Sequence, residues 1–336
     1  MSKYAALQRA DFDTCKIYRA HLPTYKNLHN GAESVVCESA SHLTCFFYYY
    51  YIYLPCRNDT ESYILLNRRG RAVSNRHQNI TRNILFNSNK PLKIITHGWR
   101  SSVDKEGVLN IKNAYLEAQN VNVITVDWSS TASSILYFWV ANETKAIGSQ
   151  VAIFLDGLNR LYNVPSEQLH LIGHSLGAHV MGIAASKTNS TVYRVTGLDP
   201  ARPYFEFPPQ DVFAKLDSSD AKIVDVIHTC AGLLGFEGAI GTVDFYPNAG
   251  IAPQPGSCSH GRSFDYFAES IKYPTSFPAY QCQSWVEFLE HQCSHKGFMG
   301  DDLNRNMSGK FYLTTNALKP FGIPTFRSVN DDHVKR

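Results

Sequence analysis

The seven residues GHSLGAH, 173–179, hold a serine hydroxyl between two glycines. Such a hydroxyl is a weak nucleophile and attacks a carbonyl only when a neighbouring base removes its proton. The stretch before it, QLHLI, reads as a strand, and LGAHVMGIAASK (176–187) reads as a helix. Gly-x-Ser-x-Gly between a strand and a helix is the pattern of a nucleophile elbow, a turn too sharp for β-carbons on its flanks. Gly173 and Gly177 then let strand and helix approach, and Ser175 is lifted out of the sheet. The Leu176 N–H lies at the helix start, where it can donate to an oxyanion with support from the helix dipole. Acyl transfer is the chemistry these residues would serve.

The base that activates such a serine needs an acid to orient it. On this type of sheet the chain order is Ser, then Asp or Glu, then His. Asp199 closes the strand YRVTGLD (193–199) and so stands at a carboxyl edge, where catalytic groups gather. Asp217 and Asp220, in a polar stretch, and Asp225, inside IVDVI, compete with it. Downstream of Asp199 lie His228, His260, His291, His295 and His333. His228 ends a strand and reads equally well as a hydrogen-bonded structural histidine. His260 lies in SCSHGRS, a Gly/Ser-rich loop ahead of an expected helix FDYFAESI (264–271), and a loop can present a ring to two partners. The residues favour His260 and leave His228 open.

These groups must be carried by a frame. LKIIT (92–96), VNVITVDW (121–128), QLHLIG (168–173), YRVTGLD and KIVDVIHT (222–229) read as strands. VLNIKNAYLEA (108–118), IGSQVAIFLDGLNRLY (147–162) and LGAHVMGIAASK read as helices between them. The strands are β-rich runs too continuous to alternate. A β-α-β order with such strands predicts an α/β fold with a mostly parallel central sheet and helices on both faces. Residues 1–43 show no strong period and are expected to be an N-terminal extension, with 44–336 as one catalytic domain. The aromatic run CFFYYYYIYLP (45–55) is too short for a membrane helix, which needs about twenty residues, and reads as a buried strand.

The formal charge of +3 in 336 residues is too mild to imply a nucleic-acid partner. None of the eight cysteines forms a CxxC pair, which argues against a zinc ribbon. Cys282 and Cys293 frame CQSWVEFLEHQC, a spacing that suits a small disulfide-closed loop. Pairing of Cys15, Cys37, Cys45, Cys56, Cys230 and Cys258 stays open. Asn-x-Ser/Thr sequons at Asn58, Asn79, Asn142, Asn189 and Asn306 give weak support to a secreted glycoprotein, although MSKYAALQRADFD has no apolar core of a signal peptide.

Together, THGW (96–99), VDW (126–128), GHSLGAHVMG (173–182), TGLDPARP (196–203), DVIHT (225–229), DFYPNAG (244–250) and CSHGRSFDYFAESI (258–271) resemble the pancreatic lipase family over roughly residues 44–318. The resemblance implies an α/β-hydrolase fold with Ser175, Asp199 and His260 as triad, His228 falling in a structural element. It also implies the Trp99 backbone N–H as an oxyanion donor beside that of Leu176, with the Trp99 side chain free to wall an acyl pocket. No metal or cofactor is implied.

Three departures refine the expectation. The chain stops soon after Leu318, so no C-terminal β-sandwich domain is expected. QPGSCSH leaves no room for a long lid before His260, and CAGLLGFEGAIGTVDF (230–245) leaves only a short neighbouring loop. A short lid and short loop resemble the phospholipase A1 branch, including secreted insect enzymes. The implied function is release of the sn-1 acyl chain from phospholipid. The alternatives are a neutral triacylglycerol lipase or galactolipase, and a non-catalytic lipid-binding or yolk-type protein. The expected partner is lipid at a membrane or micelle surface, met by a monomer, with LLGF (233–236) as an exposed contact loop.

Overall fold

Five consecutive apolar or β-branched side chains can be buried on both faces of a sheet, and the strands that the sequence marks as continuous are placed in that way. A computed structural model describes residues 86–251 and 256–323, with the side chains of 256–258 excepted, and the backbone of four short strands nearer the N-terminus. Those four are β1 (Ser34–Val35), β2 (Tyr49–Tyr53), β3 (Tyr63–Ile64) and β4 (Leu66–Asn67). The remaining strands are β5 (Leu92–Thr96), β6 (Asn122–Asp127), β7 (Leu169–His174), β8 (Arg194–Leu198), β9 (Ile223–Ile227), β10 (Val243–Pro247), β11 (Pro278–Gln281), β12 (Lys296–Phe298) and β13 (Gly309–Leu313). The helices are α1 (Glu106–Ala118), α2 (Ser129–Ala132), α3 (Tyr137–Tyr162), α4 (Leu176–Lys187), α5 (Gly256–Lys272) and α6 (Trp285–Leu289).

The large sheet runs β12-β11-β13-β10-β9-β8-β7-β5-β6-β2-β4. From β13 through β6 every neighbouring pair is parallel. Antiparallel strands close both edges, β11 and β12 on one side and β2 and β4 on the other. This is the expected α/β-hydrolase arrangement of a mostly parallel sheet. One core layer joins α3 and α4 to one face through residues such as Phe154, Val180 and Leu171. The opposite layer joins α1 and α5 through residues such as Ile111, Phe267 and Phe245. The chain leaves β5 toward β6 and then returns to place β7 on the other side of β5. The carboxyl ends of β5 and β7 therefore flank a switch point, the place where open α/β sheets bind ligands.

The aromatic run at 45–55 contributes β2, which pairs with β6. Two helices are longer than their sequence pattern predicts. Helix α3 begins at Tyr137, not near Ile147. Its first turns bury Val140, Ala141 and Thr144 while leaving Phe138 and Trp139 exposed, so its apolar residues point both ways and hide the period. Helix α5 begins at Gly256, so His260 stands on a helix and not on the expected loop. Gly and Ser have low helix propensity. Here tertiary packing overrides it, because Ser259 and Ser263 are buried and the neighbouring Phe264 packs α5 against α1. A β-carbon on Gly107 would meet the Phe264 ring at 2.6 Å.

Candidate active site

Ser175 follows β7 directly with φ 56° and ψ −123°, a backbone state that L-residues rarely adopt. Its N–H donates to Leu198 O at 3.0 Å, which ties the turn to β8. The flanking glycines are required by contact. A β-carbon on Gly173 would lie 2.1 Å from Gly177 O, and one on Gly177 would lie 2.4 Å from His97 O. The loop after β5 approaches just as closely, since a β-carbon on Gly98 would stand 2.7 Å from Ser175 Cβ. The HGW stretch is thereby laid against the serine. Among the described residues no acceptor takes the Trp99 backbone N–H. Leu176 is the first residue of α4, and its N–H lacks an acceptor one turn earlier within the helix.

Asp199 follows β8 in a left-handed conformation, φ 45°, and is fully buried. Its Oδ1 accepts the N–H groups of Thr229 at 2.7 Å and Cys230 at 3.0 Å. Its Oδ2 lies 2.5 Å from His260 Nδ1. A carboxylate accepts, so Nδ1 carries the proton, and the neutral ring has its lone pair on Nε2.

His174, next to Ser175, supplies a contact that the motif alone did not reveal. Its Nε2–H donates to His260 O at 2.9 Å, and its ring stacks on Phe264 at 4.2 Å. Burial pushes its pKa well below the ordinary value, so it stays neutral and holds this tautomer. The residue that precedes the elbow serine thus touches the turn of α5 that bears His260.

The rival residues are committed elsewhere. His228 is buried between Asp244 Oδ1 and Phe236 O, both at 2.9 Å, and stacks on Tyr246 at 4.3 Å. Asp225 pairs with Arg194 at 2.7 and 2.9 Å. Asp217 accepts from Ser219, and Asp220 from the Asp217 N–H, in a turn of their own. Of the four carboxylates weighed from sequence, Asp199 is the one that meets His260.

A family model described as Lipase matches residues 57–321. Pancreatic lipase-related protein 2 of Cavia porcellus is 38% identical over 219 residues, covering 62% of this chain and 50% of that protein. Pancreatic triacylglycerol lipase of Homo sapiens is 33% identical over 276 residues, covering 70% and 58%. The chain belongs to the pancreatic lipase family. It spans about half the length of the curated relatives it matches. Inactive pancreatic lipase-related protein 1 of Homo sapiens is also 38% identical, over 237 residues covering 62% of this chain and 50% of that protein. Membership of this lipase family therefore does not carry activity by itself, and the side-chain geometry has to.

The surroundings of the site in this lipase-family chain differ from the sequence reading at one residue of the 233–236 loop. The half-buried Trp99 ring is held in place, its Nε1–H donating to Ser134 O at 2.7 Å and its ring meeting Tyr137 edge-on at 5.1 Å. In the loop 233–236, Leu233 is 59% and Leu234 40% exposed, as expected of a contact loop, but Phe236 is 4% exposed and belongs to the core. Phe236 lies against His179 and beneath the loop, so it is removed from the lipid-contact set.

Cys282 and Cys293 are joined as a disulfide with Cα atoms 4.8 Å apart. Cys230 is buried. Cys15, Cys37, Cys45, Cys56 and the Cys258 side chain lie outside the described residues, as do the Asn58 and Asn79 sequons and most of the 1–43 extension. Asn142 lies inside α3 and is exposed, while the Thr144 of its sequon is fully buried.

Proposed function

We propose that this protein is a serine carboxylic-ester hydrolase acting on lipids, and that its preferred reaction is phospholipase A1 cleavage at the sn-1 ester. The observation that carries the hydrolase reading is the Asp199–His260 hydrogen bond at 2.5 Å, with His174, the neighbour of a serine held at positive φ, bonded to His260 O. His260 Nε2 takes the Ser175 proton as Oγ attacks the ester carbonyl. Asp199 keeps the ring in the required tautomer and stabilises the imidazolium. The N–H groups of Trp99 and Leu176 receive the oxyanion, each contributing about 3 kcal/mol to the transition state. Collapse breaks the ester C–O bond, and the leaving alkoxide takes the proton from His260. Water, deprotonated by the same ring, then releases the fatty acid and restores Ser175.

The phospholipase reading is supported by the connection between β10 and α5, residues 248–255, which leaves no length for a long lid. A cleft mouth without a long lid would leave space for a charged head group. Exposed Leu233 and Leu234 support contact with a lipid surface, and the Cys282–Cys293 disulfide supports an extracellular setting. The family relatives named triacylglycerol lipases favour the second reading, a neutral lipase.

The test compares acyl release from phosphatidylcholine and from triolein, with the position of the released chain identified and Ser175 challenged with an organophosphate. Release of the sn-1 chain from phosphatidylcholine is expected. Triolein cleavage without phosphatidylcholine cleavage would give the neutral-lipase reading instead. Neither turnover nor labelling would leave a lipid-binding protein.

A further inference from the structure

Beside the Asp199–His260 pair lies a cavity of about 300 Å³ that the hydrolytic steps do not use. It sits at the carboxyl ends of β9, β10 and β13. Its lining touches the triad pair at two points. Thr229, whose N–H holds Asp199, lines it, and so do Ser259 and Arg262, which flank His260 on α5. Ile251, 60% exposed, brings the cavity to the surface.

Two observations mark this cavity as a binding site and not a packing gap. The first is Thr229, which is 5% exposed and whose Oγ1 is buried with no hydrogen-bond partner among the described residues. A buried hydroxyl left unpaired is unfavourable, and native structures hold few. The second is the charge of the lining. Among the described residues Arg262 is its one cation, and no carboxylate lines it. Arg262 is held over the Phe321 ring at 4.5 Å, and its one hydrogen bond among the described residues is a long one, 3.3 Å to Asp265. A guanidinium has five N–H donors, so most remain for a ligand. The floor is rigid. Asn248, at φ 51°, exchanges hydrogen bonds with Thr315 at 2.8 and 3.0 Å, and Tyr266 reaches the same Thr315 hydroxyl at 2.8 Å.

We infer that this cavity is a phosphate subsite, with Arg262 as the cation and the Thr229 hydroxyl, brought to the cavity by rotation about its Cα–Cβ bond, as a neutral donor. A cation with hydroxyl and amide donors and no carboxylate suits an anionic phosphodiester and does not suit an ammonium group. The volume lies at the small end for ligand sites and fits a glycerophosphate head, not an acyl chain. This inference rests on the phospholipid reading for its physiological ligand. The head group of the lipid substrate and free phosphate share the recognising chemistry.

The experiment measures kcat/KM on phosphatidylcholine and on 1,2-diacylglycerol in the same detergent micelles. The two substrates share their esters and differ in the phosphate head. Arg262→Gln is expected to lower the phosphatidylcholine-to-diacylglycerol ratio about tenfold, the scale of one charge-assisted hydrogen bond, and Thr229→Val about threefold in the same direction. Arg262→Lys should recover part of the ratio and, with Thr229→Val, decides the matter if Arg262→Gln does not fold. An unchanged ratio in these variants overturns the subsite. Inorganic phosphate binding, followed by calorimetry on the wild type and on the same variants, separates the two sources. Phosphate bound by the wild type and lost in Arg262→Gln, with no phosphatidylcholine cleavage, keeps the subsite as a free-phosphate site and sinks the phospholipase reading. With no phosphatidylcholine cleavage and no phosphate binding, both fail.

Discussion

Gly235 stands so close to Asp199 that a β-carbon on it would lie 2.3 Å from Oδ1. The glycine is fixed there by its N–H bond to Cys230 O at 3.0 Å and by a bridge to Ala201. The loop that turns Leu233 and Leu234 outward is therefore the loop that covers the buried carboxylate. Gly235→Ala is expected to push Asp199 off its line to His260. A displacement of about 1 Å in a catalytic group can lower kcat on the order of a hundredfold. Steady-state kinetics on a short water-soluble ester should show that fall in kcat with KM little changed. An unaltered kcat would mean that Asp199 does not need this placement.

Removal of the nucleophile is the more severe change. Ser175→Ala is expected to lower kcat by at least about four orders of magnitude and to abolish organophosphate labelling. Asp199→Asn should retain labelling at a slower rate, with kcat down on the order of ten-thousandfold, because the wrong His260 tautomer is then favoured. Full activity in either protein would remove the proposed triad.

The elbow makes a contrasting pair of stability predictions. Gly173→Ala drives a β-carbon to 2.1 Å from Gly177 O, a backbone atom that cannot swing away. The expected loss is about 3 kcal/mol, the upper part of the range for overpacking, and is read as a fall in Tm of several degrees. Gly261→Ala, inside α5, meets nothing within 4 Å. It should be neutral or raise stability by up to about 1 kcal/mol, through helix propensity. Equal Tm values for the two variants would contradict this packing.

Acid sensitivity should come from buried neutral histidines. His179 donates to Ala201 O at 2.8 Å and accepts from the Leu216 N–H at 3.1 Å, and burial lowers its pKa to about 3. An unfolded histidine titrates near 6.5. Between these values the unfolded chain binds a proton that the folded chain does not, so stability falls as pH drops from about 6.5 toward 3. His170 and His174, both lowered well below the ordinary value by burial, act in the same direction. Denaturant unfolding at pH 7 and pH 4.5 should show the decline, and His179→Gln should flatten it. A stability that rises on acidification over this window would refute the account.

Leu234→Asp tests the exposed loop separately from the chemistry. It should weaken binding to phosphatidylcholine vesicles by about tenfold, since one apolar side chain is lost and a charge faces the lipid. Hydrolysis of a soluble ester should change far less. Vesicle binding equal to the wild type would end the contact role of this loop.

The sequence by itself determined the sheet, because mainly apolar runs such as LKIIT and QLHLIG, too continuous to alternate, are satisfied by burial on both faces. It also determined the elbow, because two glycines around Ser175 at a strand–helix junction are local requirements. The small disulfide was legible for the same reason, its two cysteines being close along the chain. Tertiary structure decided which distant groups meet. His228 and His260 both stood as candidates by type and position, but only the packed fold shows His228 enclosed by Asp244, Phe236 O and Tyr246. It also placed His260 on a helix, since packing of Ser259 and Ser263 outweighs their poor propensity, and it buried Phe236 next to exposed Leu234. The Thr229–Arg262 cavity had no sequence signal at all. Its residues come from separate segments, and a space between side chains has no period to read. Local patterns fix what each segment becomes, whereas contacts across long chain separations depend on how all the faces pack at once.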